Sequence, residues 1–267
     1  MSLLLITAVS CIAIGLLTQW ITESREGSVA SGWGMTATAT ITHNPKVLIW
    51  NMKLLPWPAT SDAIERATLM MLESVWDDAD IVVLTEIIHG GASEIVANQL
   101  RNKGFIWGTR PLQSWPRLNG GVLVASRIQP ISSSFIIFEH STYKEADRLA
   151  SKGAVIVEWP TFSIIGTHLD ACPADSETRT QQIAQIRKLP LSGPVFWAGD
   201  FNFDLRYESH LYGLPEYAAD AQPSFEYKRL DGVISMNDGG AIAEDYVLHL
   251  AGSDHWPVLS KLIFFTK

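Results

Sequence analysis

The chain has 267 residues, 47% of them hydrophobic, with a formal net charge of −8. That length carries one large domain, the apolar share argues against a disordered chain, and the acidic balance argues against a protein held on nucleic acid by bulk electrostatics. The only cysteines, Cys11 and Cys172, argue against a disulfide framework and a cysteine-built zinc site.

Residues 3–22 contain no charge and are mostly apolar, close to the ~20 residues that span a bilayer. No Lys or Arg precedes the run, and the nearest small-residue cleavage pattern, Ser28-Val29-Ala30, is distant. The segment reads equally as a membrane anchor or a cleaved export signal, with a buried core helix third. A membrane-anchored, secreted or periplasmic location is therefore expected. The Gly, Ser, Thr and Ala-rich stretch that follows makes residues 23–45 a tether, ahead of one domain at 46–267. A monomer is expected.

Within the domain, Val47 to Met52 reads as a strand from its β-branched and aromatic residues. It carries Asn51 at its end, where, taken alone, a turn-forming Asn is the favoured reading. Asp62 with Glu65 forms a capping-box pattern, and Ile64, Ala67, Met71, Leu72 and Val75 recur at helical spacing. Asp80 to Glu86 is a second strand, and a carboxylate ending an apolar strand needs a partner such as a metal or a lysine. Ser93 to Arg101 reads as a helix, and Asn119 to Ser126 and Ser133 to Phe138 as strands. Leu149 to Trp159 and Phe162 to Leu169 read as a strand pair across Pro160-Thr161. His168 sits at the end of the second, where a structural histidine is the commoner case. Asp175 to Leu189 is a helix with Ile183, Ile186 and Leu189 inward. Val195 to Asn202 is a short apolar strand running through Gly199 into Asp200 and Asn202, a pair that fits either an Asx turn or a chemical role. Three further strands follow, at Leu230–Ser235, Tyr246–His249 and Trp256 to Phe265, with Gly252-Ser253-Asp254-His255 between the last two.

Each polar strand end has an ordinary explanation, but the shared pattern does not. Asn51, Glu86, His168, Asp200, Asn202, Asp231, Asp254 and His255 all lie at or beside the end of an apolar strand, where a rigid sheet displays its chemistry. The oxygen-rich kit suits magnesium, manganese or calcium better than zinc. Two histidines beside carboxylates supply a general base with an orienting partner.

Trp50-Asn51, Thr85-Glu86, Gly166-Thr167-His168-Leu169, Gly199-Asp200-Phe201-Asn202, Leu230-Asp231 and Ser253-Asp254-His255 occur in the order found in the endonuclease/exonuclease/phosphatase superfamily, and the resemblance covers about residues 46–265. It implies an α/β fold, a four-layer α/β-sandwich of two packed mixed β-sheets flanked by helices, and a magnesium-dependent phosphodiesterase. Within that superfamily the chain looks most like the bacterial and neutral sphingomyelinases. The secondary matches are Asn51-Met52-Lys53-Leu54-Leu55-Pro56, Ser151-Lys152-Gly153, His168-Leu169-Asp170-Ala171 and Arg179-Thr180-Gln181-Gln182. One departure stands out. Secreted bacterial sphingomyelinases carry a long aromatic hairpin before the last histidine, and only Met236 to Gly252 fills that interval here.

The resemblance also implies roles. Glu86 is the principal metal ligand with Asn51 close by, and Asp254 orients a histidine or binds metal. His255 is the general base, Asp231 its orienting partner, and His168 a donor to a non-bridging oxygen. Asp200 and Asn202 position water and phosphate, and Lys152 contacts the phosphate or is a solvated surface lysine. The expected partner is a phosphoester substrate, a phospholipid such as sphingomyelin, with the N-terminal segment able to bring the domain to a membrane. DNA or RNA and inositol phospholipids are the alternatives. Arg101, Lys103, Arg110, Arg117 and Arg127 are spread over one region but make no dense basic cluster.

Overall fold

Alternation along the strands decides the architecture. In β3 (Lys46–Leu54) and β4 (Ile81–Ile87), Val47, Ile49, Ile81 and Val83 belong to one buried cluster, while Leu48, Trp50, Val82 and Leu84 belong to another. Successive side chains of a strand point to opposite faces, so both faces of this sheet are covered. The computed structural model describes residues 26–28, 31–34, 44–109, 118–141, 149–172, 174–237 and 240–264. The apolar segment 3–22 lies outside the described residues.

The other strands are β1 (Glu26–Ser28), β2 (Ser31–Gly34), β5 (Trp107–Thr109), β6 (Leu123–Ser126), β7 (Ser132–Ile137), β8 (Gly153–Glu158), β9 (Ser163–His168), β10 (Val195–Asp200), β11 (Asp231–Ser235), β12 (Gly240–Val247) and β13 (Val258–Phe264). They form a six-stranded sheet in the order β1-β7-β8-β9-β10-β11 and a seven-stranded sheet in the order β12-β13-β3-β4-β6-β5-β2. Both sheets are mixed. β9 and β10 run parallel, as do β3 and β4, and their other pairings are antiparallel. The inner faces meet through Val47, Ile49, Val83 and Val124 from one sheet and Val155, Val157, Ile164 and Phe196 from the other.

Helices close the outer faces. Helices α1 (Ala63–Met70) and α2 (Gly90–Asn102) bring Ala67, Met70, Val96 and Leu100 to the outer side of the seven-stranded sheet. Helix α3 (Ser176–Arg187) brings Ile183 and Ile186 to Ile156, Ile165 and Trp197 on the outer side of the six-stranded sheet. The result is the four-layer sandwich that the motifs imply.

Several local expectations change. The Asp62 carboxylate makes no capping bond. It accepts two hydrogen bonds from Arg66 Nη2, at 2.7 and 2.8 Å, so a cation one turn on takes the oxygens that a capping box needs. Ile64 and Leu72 are exposed, whereas Ala67, Met71 and Val75 are buried as expected and Ala63 and Met70 join them. Part of the expected tether is folded: β1 pairs with β7 and β2 with β5. The interval between β11 and the last histidine holds β12, which pairs along β13 from Gly240 to Val247 as an edge strand of the sheet.

Candidate active site

Register assembles the site. On β9, β10 and β11, Asp200 stands opposite His168 on one side and Asp231 on the other. Three polar residues therefore sit abreast on adjacent strands, which lie about 4.8 Å apart. All three share the inward face of Ile164, Phe196, Ala198 and Val233. In the facing sheet Asn51 stands opposite Thr85, with Glu86 next along β4, and Asn51 shares the inward face of Val47 and Ile49. Its amide Nδ2 donates to Asp200 Oδ2 at 2.9 Å and to Glu86 Oε1 at 3.1 Å. One carboxamide thus joins the sheets at the level where both turn polar.

The backbone is constrained at the same place. Gly199 has φ 145°, and a Cβ there would lie 1.8 Å from the Thr167 carbonyl oxygen, so only glycine lets β10 approach β9 just before Asp200. Glu86, Asn202 and Lys53 adopt φ of 57°, 55° and 50°. Left-handed conformations in non-glycine residues carry strain and gather where function holds them.

A histidine–aspartate pair forms the centre. His255 Nδ1 donates to Asp231 Oδ2 at 2.6 Å, with both residues buried. The Phe225 ring lies against the imidazole with 4.6 Å between centroids. The Trp50 indole donates to the His255 carbonyl at 3.0 Å. The Ser253 hydroxyl accepts from His255 N at 3.2 Å and donates to the Asn51 carbonyl at 2.6 Å. With Nδ1 committed to Asp231, Nε2 is the nitrogen left for chemistry. Burial alone would lower the His255 pKa, but the Asp231 charge and hydrogen bond, reinforced by Asp200 and Asp254, push it up to about 10.

His168 behaves in the opposite way. Burial, then the Lys152 charge, lowers it to about 3 against the opposing pull of Asp200, so it is neutral near pH 7. Both its ring nitrogens are buried without a hydrogen-bond partner, and Nε2 lies 3.8 Å from Asp200 Oδ2. A buried polar group with no partner is costly unless something arriving later satisfies it.

The residues also fit a hard cation. Burial raises the Glu86 pKa above its ordinary value against the hydrogen bond from Asn51, and no cationic side chain of the described residues pairs with it. Asp200 accepts from Asn51 on Oδ2 and from Asn202 N on Oδ1 at 2.9 Å. Two largely buried carboxylates joined through one neutral amide make an oxygen-rich pair that suits a divalent ion. Asp200, Asp231 and His255 also bring ligand atoms within 4.8 Å of one another. Since His255 Nδ1 already bonds Asp231, that group is a dyad beside a carboxylate, and Glu86 with Asp200 are the better cation ligands.

Four of the expected residues have particular partners. Asn51 turns its amide nitrogen toward Glu86 and Asp200, while its Oδ1 accepts from Lys53 N at 3.1 Å. It orients the carboxylates instead of offering them an oxygen ligand's company. Asp254 is exposed and held by Lys53 Nζ at 2.7 Å, and its charge still reaches His255. Burial would raise its pKa, but Lys53 holds it below the ordinary value. Asn202 donates its side-chain amide to the Leu169 carbonyl at 2.9 Å, and Lys152 Nζ donates to the same oxygen at 3.0 Å. Asn202 thus fixes Asp200 and the end of β9. Lys152 is buried, which removes the reading of a solvated surface lysine. Ser224 and Phe225 were not singled out from sequence. Trp50, Lys53 and Ser253 stand within the quoted motifs, where they were given no role of their own.

Two mixed sheets packed face to face, with a buried acid–base set where both turn polar, define a four-layer α/β-sandwich of enzyme type. The chain belongs to the endonuclease/exonuclease/phosphatase family, whose sequence model matches residues 48–255. Members of that family hydrolyse phosphoesters. Among solved structures, SmcL superposes with a TM-score of 0.67 at 22% identity, covering 82% of this chain and 98% of that one. Sphingomyelinase C from Streptomyces griseocarneus gives 0.64 at 20% identity, with 82% and 99% covered. A D. rerio TDP2 humanized by 14 mutations gives 0.64 at 15%, again with 82% and 99% covered. At these identities the likeness establishes the fold. No curated protein gives a match.

Proposed function

We propose that the protein is a divalent-cation-dependent phosphodiesterase that hydrolyses a phospholipid such as sphingomyelin. The observation that carries this reading is a pair of buried histidines, one tied to a buried carboxylate and one with both ring nitrogens unpartnered. His255 is tied to Asp231 at 2.6 Å, and His168 is neutral with both nitrogens unpartnered.

In this reading the raised proton affinity of His255 would be offset by a cation held at Glu86 and Asp200, and the neutral ring's Nε2 takes a proton from the attacking water as that oxygen bonds to phosphorus. Asp231 keeps Nδ1–H in place and stabilises the imidazolium that forms. His168 donates an N–H to a non-bridging phosphate oxygen, and the buried Lys152 ammonium adds positive potential beside it. The bond from phosphorus to the leaving oxygen then breaks, that oxygen takes a proton from solvent, and His255 returns its proton to solvent. Glu86 and Asp200, oriented by Asn51, would hold magnesium, or manganese or calcium, which supplies neutralisation of charge on the phosphoryl oxygens.

Three observations support a lipid over a nucleic acid. The net charge is −8. Trp57 and Tyr227, 81% and 70% exposed, lie on the loops that leave β3 beyond Asn51 and enter β11 at Asp231. The fold is similar to that of a sphingomyelinase C. Among the described residues no helix is long and apolar enough to cross a membrane; residues 3–22 would supply membrane proximity or export.

The test is hydrolysis of sphingomyelin, phosphatidylcholine, phosphoinositides, plasmid DNA and RNA with magnesium, beside His255→Ala and a chelated control. Sphingomyelin cleavage that falls 10²- to 10⁴-fold in His255→Ala, on the order of a lost general base, is expected. Cleavage of DNA or RNA without any lipid would reassign the substrate. Activity surviving both the variant and the chelator would overturn the mechanism.

A further inference from the structure

The Asp231 carboxylate is used asymmetrically. Its Oδ2 accepts two hydrogen bonds, from His255 Nδ1 at 2.6 Å and from Ser224 Oγ at 2.8 Å, while its Oδ1 is buried with no partner. A free carboxylate presents two equivalent oxygens to an imidazole, so something must select one. The Ser224 hydroxyl has the required bonding. It accepts from Leu230 N at 3.1 Å and from Asp231 N at 2.9 Å. A hydroxyl has two lone pairs and one proton. With both lone pairs held by the backbone, the proton is directed at Asp231 Oδ2.

The loop around Ser224 grips the other partner as well. Ser224 N donates to the Lys228 carbonyl at 2.9 Å, and Phe225 N donates to it at 3.1 Å. Glu226 takes φ 46° to close the turn. The Ser224 carbonyl accepts from Trp256 N at 2.8 Å, and Phe225 bridges His255 through backbone and ring. One short turn therefore holds the carboxylate by a side chain and the histidine by its backbone.

We propose that Ser224 is a positioning residue of the His255–Asp231 pair, selecting the carboxylate oxygen that meets Nδ1 and so holding the imidazole with Nε2 toward the substrate. The inference rests on the acid–base reading of that pair. Ser224 touches no reacting atom and acts through Asp231.

The experiment is a double-mutant cycle in the full-length protein with magnesium and bis(p-nitrophenyl) phosphate, using Ser224→Ala, Asp231→Asn and the double variant. Proton NMR of the His255 Nδ1–H resonance in the substrate-free protein accompanies it. Ser224→Ala is expected to lower kcat on the order of ten- to a hundredfold, the usual consequence of removing a hydrogen bond to a buried charge, with KM changed less than about twofold. Ser224→Thr should recover most of the loss, the downfield Nδ1–H signal should shift or broaden in Ser224→Ala, and Asp231→Asn should leave Ser224→Ala without further effect. If Ser224→Ala does not fold, Ser224→Cys keeps the volume with a weak donor and carries the same expectation. An unmoved Nδ1–H resonance, or an equal loss with and without the Asp231 carboxylate, would overturn the proposal. Full activity in Asp231→Asn would instead overturn the acid–base reading beneath it.

Discussion

His255 and His168 illustrate how one site can pull the same residue type in opposite directions, and stability should record it. The His255 value in the fold, about 10, lies above the ~6.5 of an unfolded histidine. Its contribution is therefore full below about pH 6.5 and is lost as pH rises toward 10. The His168 value, about 3, lies below the unfolded value. The fold accepts only the neutral ring, so stability is full above about 6.5 and falls away toward pH 3. In the chelated protein, urea midpoints across pH should show both limbs. His168→Gln should flatten the acid limb and His255→Gln the alkaline one; retention of both limbs in the variants would refute the assignment. Activity has its own pH dependence. Because Asp231 raises His255, Asp231→Asn should lower the maximum and move the rise of kcat to lower pH. At this scale sequence was informative about residue type and weak about partners. The strand-end residues Glu86, His168, Asp200, Asp231 and His255 converge as the pattern implies. Asn51, Asn202 and Asp254 lie nearby, but their partners are chosen by rotamer and by Lys53, neither of which strand position specifies. Ser224, seven residues before Asp231, sits in a turn without periodicity and had no signal.

Strands were legible because both sheets alternate between two apolar faces, which leaves near-continuous hydrophobic runs that end abruptly in polar residues. Short or mixed elements were not: β5 has three residues, and β12 interleaves Glu244 and Asp245 with small residues. Pairing was illegible as well, although it places the chemistry. Asp200 faces both His168 and Asp231 only in the observed register, and a one-residue slip would turn its side chain to the opposite face. Gly199 maintains that register by permitting contact with Thr167. Gly199→Ala should cost about 3 kcal/mol or more in chemical denaturation, through strain in the φ > 0 region and collision with the Thr167 carbonyl. A near-neutral result would show that β9 and β10 can separate without penalty.

Across the whole molecule the two sheets are joined by polar as well as apolar contacts. Arg229, buried beside β11, pairs with Asp245 of β12 at 2.6 Å, and Tyr217 and Ser260 donate to the same carboxylate at 2.6 and 2.7 Å. Removing the guanidinium strands a largely buried carboxylate, so Arg229→Ala should destabilise by about 3 kcal/mol, whereas Arg229→Met with Asp245→Leu should recover most of the loss. Thermal unfolding of the single and double variants checks this. Magnesium should raise Tm in a concentration-dependent way by binding the folded state alone, and Glu86→Gln should abolish the rise. The order of the motifs was enough to anticipate four layers, but the folding of the N-terminal stretch onto them was not. That stretch has a mechanical consequence. With Glu26 paired to β7, the leash between the apolar run ending at Thr22 and the first paired residue is four peptide steps, not the length of a tether through residue 45. At about 3.6 Å per step, the covalent chain can place Thr22 no farther than roughly 14 Å from Glu26 at the sheet edge, so a membrane that received residues 3–22 would hold the domain within a narrow shell of its surface.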